Sequence, residues 1–124
     1  MNNEKFSIKK RLKSFVYAFN GLLLLIKNEH NARIHLVTTV CAVIAGFWFN
    51  ISSLEWIVII FAIGFVISFE IVNSSIEQLA DFVSPERREK IKSVKDLAAA
   101  AVLVAAITAA CIGLVIFIPK IIAM

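Results

Sequence analysis

From Leu36 to Leu54, and again from Leu97 to Ile118, the chain carries no charged residue. Each run has about the 20 residues that a helix needs to cross a bilayer. A third apolar stretch begins at Leu54 and stays uncharged from Trp56 to Phe69. It reaches spanning length only by continuing through SFEIVNSSIEQLADF to about Phe82, so the pattern predicts transmembrane helices over about 32–50, 54–82 and 97–118. Ahead of them, residues 5–27 place Phe6, Leu12, Phe15, Val16, Phe19, Leu23 and Ile26 at helical spacing against Lys5, Lys9, Lys10, Lys13, Asn20 and Lys27. That alternation predicts an amphipathic helix lying in the headgroup layer.

Between the second and third spans, Ser84 followed by Pro85 and Glu86 is a helix-start signal. It predicts a short cytoplasmic helix within the 83–96 loop. In the third span Ala101, Ala105, Ala109 and Gly113 recur at four-residue intervals, a register that lets helix backbones approach closely. Three spans are few to enclose a polar site, so an oligomer is expected. The fold class is an all-α integral membrane protein of one domain, 1–124.

Composition agrees with this picture. Hydrophobic residues make up 60% of the 124 and mean hydropathy is +0.85, well beyond the roughly 45–50% of an ordinary soluble domain. The first apolar run, GLLLLI, is too short for the apolar core of a signal peptide, and the whole chain is expected to be retained. Cys41 and Cys111 sit in apolar runs without CxxC or metal-ligand spacing and read as small buried hydrophobes.

Charge sets the orientation. Lys5, Lys9, Lys10, Arg11, Lys13, Lys27 and Arg33 precede or open the first span, and Arg87, Arg88, Lys90, Lys92 and Lys95 lie between the second and third, leaving Lys120 outside. Because basic residues near span ends stay cytoplasmic, the N-terminal helix and the 83–96 loop are expected on that side of the bacterial cytoplasmic membrane. The net charge of +4 is what basic flanks beside anionic lipid require, and nucleic acid is not needed to explain it.

The polar residues of the second span carry the chemistry. On a helix Glu70, Glu77 and Asp81 fall within roughly 40° of one another, with Asn73 about 60° to one side. Asp81 is expected at the cytoplasmic boundary, Glu77 about a turn deeper, and Glu70 roughly 10 Å below Glu77. Glu29, just ahead of the first span, and Lys95 with Asp96, just ahead of the third, meet the same level. Clustered carboxylates repel one another, which makes a divalent cation their natural partner, and Mg²⁺ is commonly held by one or two carboxylates completed by phosphate oxygens and water. Interhelical hydrogen-bonding glue is the bland alternative. A small oligomeric ion- or proton-coupled transporter using Glu70 and Glu77 is another, although nothing acidic lies in the outer half except Glu55 at the rim. No Walker-type or kinase Gly-rich loop and no Ser/His/Asp set occurs. His30 and His35, without metal spacing, read as interfacial hydrogen-bonding residues.

The run Glu70-Ile-Val-Asn73-Ser-Ser-Ile-Glu77-Gln-Leu-Ala-Asp81 resembles the signature of the prokaryotic diacylglycerol kinase family. Its companions are present too: an amphipathic start with Tyr17 and Gly21, an Asn28-Glu29 pair, and Lys95-Asp96 ahead of AAAAVL. The resemblance covers roughly residues 6–118. It implies a homotrimeric three-span kinase with an interfacial helix, transferring the γ-phosphate of ATP to a membrane lipid alcohol with Mg²⁺. By resemblance Glu70 is the general base, and Glu29 and Glu77 are metal ligands. Asn73, Asp81, Lys95 and Asp96 are further active-site groups, and Asn73 and Asp96 join Glu70 as catalytic. Lys10, Tyr17, Glu29, Glu77, Glu86, Lys95 and Asp96 match nucleotide-side positions, while Glu70 and Ala99 match lipid-side ones. Departures are Lys10-Arg11, where an Arg one position earlier is familiar, Arg87-Arg88 in place of Tyr-His, and Ala80 in place of a larger aliphatic. One branch of the family phosphorylates diacylglycerol and another undecaprenol. NARIHL, with His35 where the first branch tends to have Glu, and IFIPK look more like the second.

Overall fold

The computed structural model describes residues 7–124 as four helices: α1 (Ile8–Asn28), α2 (His30–Trp48), α3 (Ser53–Val83) and α4 (Glu89–Ile122). Lys5 and Phe6, which belong to the helix expected over 5–27, lie outside the described residues. The last three helices are long and apolar enough to cross a membrane. At 1.5 Å per residue α3 and α4 are about 46 and 51 Å long, so both outrun a hydrocarbon core of about 30 Å.

A single residue separates α1 from α2. Glu29 adopts an extended conformation, φ −114° and ψ 114°, and both helices end on it. The carbonyls left open at the end of α1 find a donor in Arg33, whose Nε lies 2.7 Å from the Ile26 oxygen and whose guanidinium also donates to Lys27. A break that would otherwise strand backbone acceptors is held by one side chain from the next helix.

The turn from α2 to α3 is equally defined. Asn50 takes the left-handed conformation at φ 50°, its N–H donates to the Phe47 carbonyl, and the Ile51 N–H donates to Gly46. This is a Schellman closure, with Asn in the place where a left-handed residue is needed. Ser52 then caps α3 in a reciprocal box with Glu55, as the pattern Ser-x-x-Glu dictates. Glu55 also pairs with Lys120 at 2.6 Å, which pins the start of α3 to the end of α4.

The α3–α4 hairpin is the most extensive packing in the chain. Ala105 is completely buried in it and Ala98 nearly so, so these two let the helices approach, while Ala109 and Gly113 of the same register line an open groove. Ile51, Ile59 and Ile116 form a core at the turn end, with the rings of Phe49 and Phe117 tilted against each other at 6.1 Å. Elsewhere large apolar side chains such as Phe47, Phe61 and Val115 face outward, which suits lipid and not water. Cys41 and Cys111, expected among buried hydrophobes, are free and exposed. Alanine and glycine make the close contacts, and a thiol on an outward face among hydrocarbon costs little.

The expected separate helix in the 83–96 loop is absent. Residues 84–88 are irregular, and α4 starts at Glu89 and continues unbroken into the span. Ser84 turns its hydroxyl onto the Glu86 carbonyl at 3.1 Å and so donates where a helix cap would accept. From Glu89 the sequence EKIKSVKDLAAAAVL has no Gly or Pro, and Lys92 pairs with Asp96 one turn on at 2.7 Å. Nothing there stops a helix once begun.

Candidate functional site

The polar stripe of α3 descends into the protein as its spacing requires. Asp81 is exposed, Glu77 half-buried, and Ser74 and Glu70 are buried, with Glu70 only 3% accessible. Glu70 Oε1 and Asn73 Oδ1 are both shut away from solvent without an aligned hydrogen-bond donor. Buried acceptors are almost always satisfied; His35 Nε2 stands 3.1 Å from Glu70 Oε1, which leaves Asn73 Oδ1 as the acceptor with no donor at hand.

Glu29 reaches this stripe from the α1–α2 break. Its Oε1 accepts the Ser74 hydroxyl at 3.3 Å, and its charge acts on both Glu70 and Glu77. The extended conformation of Glu29 is what turns its side chain away from either helix and onto α3. From the other side, Lys95 on α4 donates to Asp81, and its charge is also felt at Glu77. Three elements thus bring Glu29, Glu70, Glu77, Asp81 and Lys95 to one flank of α3.

Beyond Asp81 the site opens into a polar cleft of about 280 Å³ between the end of α3, the 84–88 loop and the start of α4. Asp81, Glu86, Lys95 and Asp96 line it, together with Arg87, Arg88 and Lys92. In the other direction, His35 and Thr39 stand at the head of a largely apolar groove of about 530 Å³ between α2 and α4, floored by Ile59, Ala62 and Val66 of α3. The groove reaches Glu70 through His35, whereas the cleft ends at Asp81, about three turns of α3 away, and Glu70 itself lines neither.

Among the described residues, no group of three or more His, Cys, Asp or Glu gathers at metal-binding spacing. Glu29 and Glu77 nevertheless fit a Mg²⁺ ion that shares its shell with phosphate and water, since such an ion takes one or two carboxylates and not a protein cage. Lys10 and Tyr17 lie on α1 with Tyr17 well exposed, Ala99 is exposed on α4, and these three line neither the cleft nor the groove. Asp96 faces the cleft paired to Lys92, and Glu86 stands 3.8 Å from Arg88. Ser74 and His35 are the two contributors that spacing alone does not single out. His35 Nε2 lies 3.1 Å from Glu70 Oε1. It shares a helix face with Ala32, Thr39 and Ala42, all buried or half-buried, a register that would have turned it inward.

The sequence pattern of prokaryotic diacylglycerol kinase matches residues 16–117. The chain belongs to the prokaryotic diacylglycerol kinase family. It is 35% identical over 113 residues to an undecaprenol kinase of Bacillus subtilis, covering 91% of this chain and 92% of that one. It is 30% identical over 109 residues to a diacylglycerol kinase of Escherichia coli, covering 88% and 89%, and 31% identical to a Synechocystis diacylglycerol kinase, covering 91% of this chain and 65% of that longer one. Membership makes the chain a lipid kinase, an enzyme whose phosphate comes from ATP, and with its three long apolar helices it is an integral membrane protein.

Proposed function

We propose that this lipid kinase transfers the γ-phosphate of ATP to the hydroxyl of undecaprenol, using Mg²⁺, at the cytoplasmic face of the bacterial inner membrane. The observation that carries the reading is the α3 stripe, which runs from the buried Glu70, beside the His35 that heads the apolar groove, to Asp81 at the polar cleft. A kinase acting on a lipid alcohol needs such a place, where a water-borne phosphate donor and a membrane-borne hydroxyl can meet. The greater identity to the Bacillus undecaprenol kinase than to the Escherichia diacylglycerol kinase favours undecaprenol over diacylglycerol as acceptor.

Phosphoryl transfer asks a protein mainly for positioning and charge neutralisation. Glu70 accepts the hydroxyl proton as the lipid oxygen bonds to the γ-phosphorus and the bridge to ADP breaks. Asn73, one turn along the same face, has an amide able to hold the hydroxyl in line with that base. Glu29 and Glu77 would hold the cation, which when bound supplies charge neutralisation to the phosphates. Glu29 is kept in place by Ser74, and Lys95 adds a positive charge held at the cleft wall by Asp81. Lys10, Tyr17, Glu86 and Asp96 complete the nucleotide side and Ala99 the lipid side. The reading includes a homotrimer, with α1 lying in the headgroup layer and the 84–88 loop on the cytoplasmic side.

Purified protein in vesicles, given radiolabelled ATP and Mg²⁺ with undecaprenol and diacylglycerol side by side, tests this. Label is expected in undecaprenyl phosphate above phosphatidate. Label chiefly in phosphatidate makes the acceptor diacylglycerol, and label in neither lipid overturns the reading.

A further inference from the structure

The mechanism above leaves one side chain unused. His35 stands on α2, 35 positions away from Glu70 in sequence, yet its Nε2 is 3.1 Å from Glu70 Oε1. The His35 side chain is 23% exposed and that of Glu70 4%, so the imidazole bridges the buried carboxylate and the head of the apolar groove it lines. The two atoms are within contact but out of line for a hydrogen bond, because Oε1 has no aligned donor. Rotation of the ring about its last torsion, which is soft in histidine, brings the N–H onto the oxygen. Contacts in catalytic sites commonly tighten in this way only when substrate is bound.

We infer that His35 is the positioning residue of the Glu70 base: its Nε2–H takes hold of Oε1 and leaves Oε2 directed at the lipid hydroxyl. The inference rests on the proposed lipid-kinase reading and assigns the two carboxylate oxygens separate tasks. A carboxylate so buried is otherwise free to rotate about its own terminal torsion, and each rotation moves both oxygens off the line of proton transfer. Anchoring one oxygen fixes the other. The anchor comes from α2, so the orientation of the base depends on α2 staying seated against α3. The same imidazole borders the groove, so the lipid headgroup meets anchor and base together.

The test is a set of His35 variants in the vesicle assay with undecaprenol, with Mg·ATP binding and oligomer size measured alongside. His35→Gln places an amide N–H where Nε2 stood, whereas His35→Asn places it nearer Nδ1, and His35→Leu removes it. Turnover is expected to fall about 10-fold to 10²-fold in Leu and Asn, the scale of a misplaced reacting group, and to be largely restored in Gln. The KM for Mg·ATP should stay unchanged in all three. In a Glu70→Gln background, His35→Leu should cost nothing further, because a residue that acts through another has no effect once that other is gone. An independent readout is the ¹⁵N shift of the His35 ring, which should move in Glu70→Gln without any turnover. Equal loss in Gln and Leu, an additive double variant, or an unmoved ring resonance would each overturn the assignment while wild-type activity leaves the kinase reading standing. Absence of lipid phosphorylation by the wild type overturns both.

Discussion

Ser74 donates its hydroxyl to Glu29 Oε1 across 3.3 Å, and this bond ties the break between α1 and α2 to the buried middle of α3. Glu29 is neither in a helix nor on a long loop. It is one extended residue whose backbone is committed at both ends, and its side chain has a single helix to meet. Ser74, 6% exposed, is the group that meets it.

Ser74→Ala therefore releases a proposed metal ligand without removing it. A hydrogen bond to a charged group is worth about 1.5–3 kcal/mol, and part of that is recovered when the cation binds. The Mg²⁺ concentration for half-maximal activity is expected to rise about tenfold, with turnover at saturating Mg²⁺ close to wild type. A magnesium titration of lipid phosphorylation checks it, and an unchanged midpoint with lowered turnover would assign Ser74 to the reacting groups instead.

Gly46 sits under the indole of Trp56. A Cβ there would stand 2.6 Å from Trp56 Cη2, closer than carbon atoms tolerate, and a tight 3.2 Å from Ile51 Cδ1. Gly46→Ala should lower stability by about 1–3 kcal/mol, the usual cost of overpacking, and Trp56→Leu in the same chain should recover most of it. Thermal unfolding in detergent of the single and double variants is the measurement. A Gly46→Ala protein as stable as wild type would mean that the indole moves aside at no cost.

The polar stripe of α3 is readable from sequence because helical periodicity is local: Glu70, Glu77 and Asp81 share a face whatever surrounds them. The apolar runs behave similarly, since length and hydropathy suffice to recognise a membrane-crossing helix. Partners are another matter. Nothing local announces that Arg33 closes the end of α1, that Ser74 donates to Glu29, or that Glu55 also pairs with Lys120. In sequence His35 reads as an interfacial residue because its neighbour Glu70 is 35 positions away. The loop helix failed for a related reason: Ser-Pro-Glu is a start signal only if the serine oxygen accepts, and here the Ser84 hydroxyl donates to Glu86.

Lys95 and Asp81 pair at the inner wall of the cleft, which raises the question whether Asp81 presents the ammonium to phosphate or withholds it. Lys95 also lies within the field of Glu77, so it keeps a reason to stay in the site when Asp81 is neutralised. Presentation then predicts a graded series. Lys95→Met should raise the KM for Mg·ATP most, and Asp81→Asn should raise it about two- to fivefold, the scale of a solvent-exposed pair. Steady-state kinetics in ATP decides between the two, because withholding would make Asp81→Asn lower the KM.

Glu70 and Glu77 share a stripe but not a depth, and their burial separates what each can do. Glu77 is half-buried and within the fields of Glu29, Asp81 and Lys95, the surroundings of a group that meets charge arriving from the cytoplasm. Glu70 is buried, with His35 as its near neighbour across the helix interface, the surroundings of a group kept from water and free to take a proton. Glu77→Gln should weaken Mg²⁺-dependent nucleotide binding along with rate. Glu70→Gln keeps the size of the side chain and removes the base, so Mg·ATP binding should survive while turnover falls about 10²–10⁴-fold, the range of general base catalysis. Binding of Mg·ATP by calorimetry and turnover in vesicles, measured on both variants, distinguish these roles. If Glu70→Gln turns over at near-normal rate, the proton acceptor lies elsewhere, and Asp96, facing the cleft beside Lys92, becomes the carboxylate to substitute next.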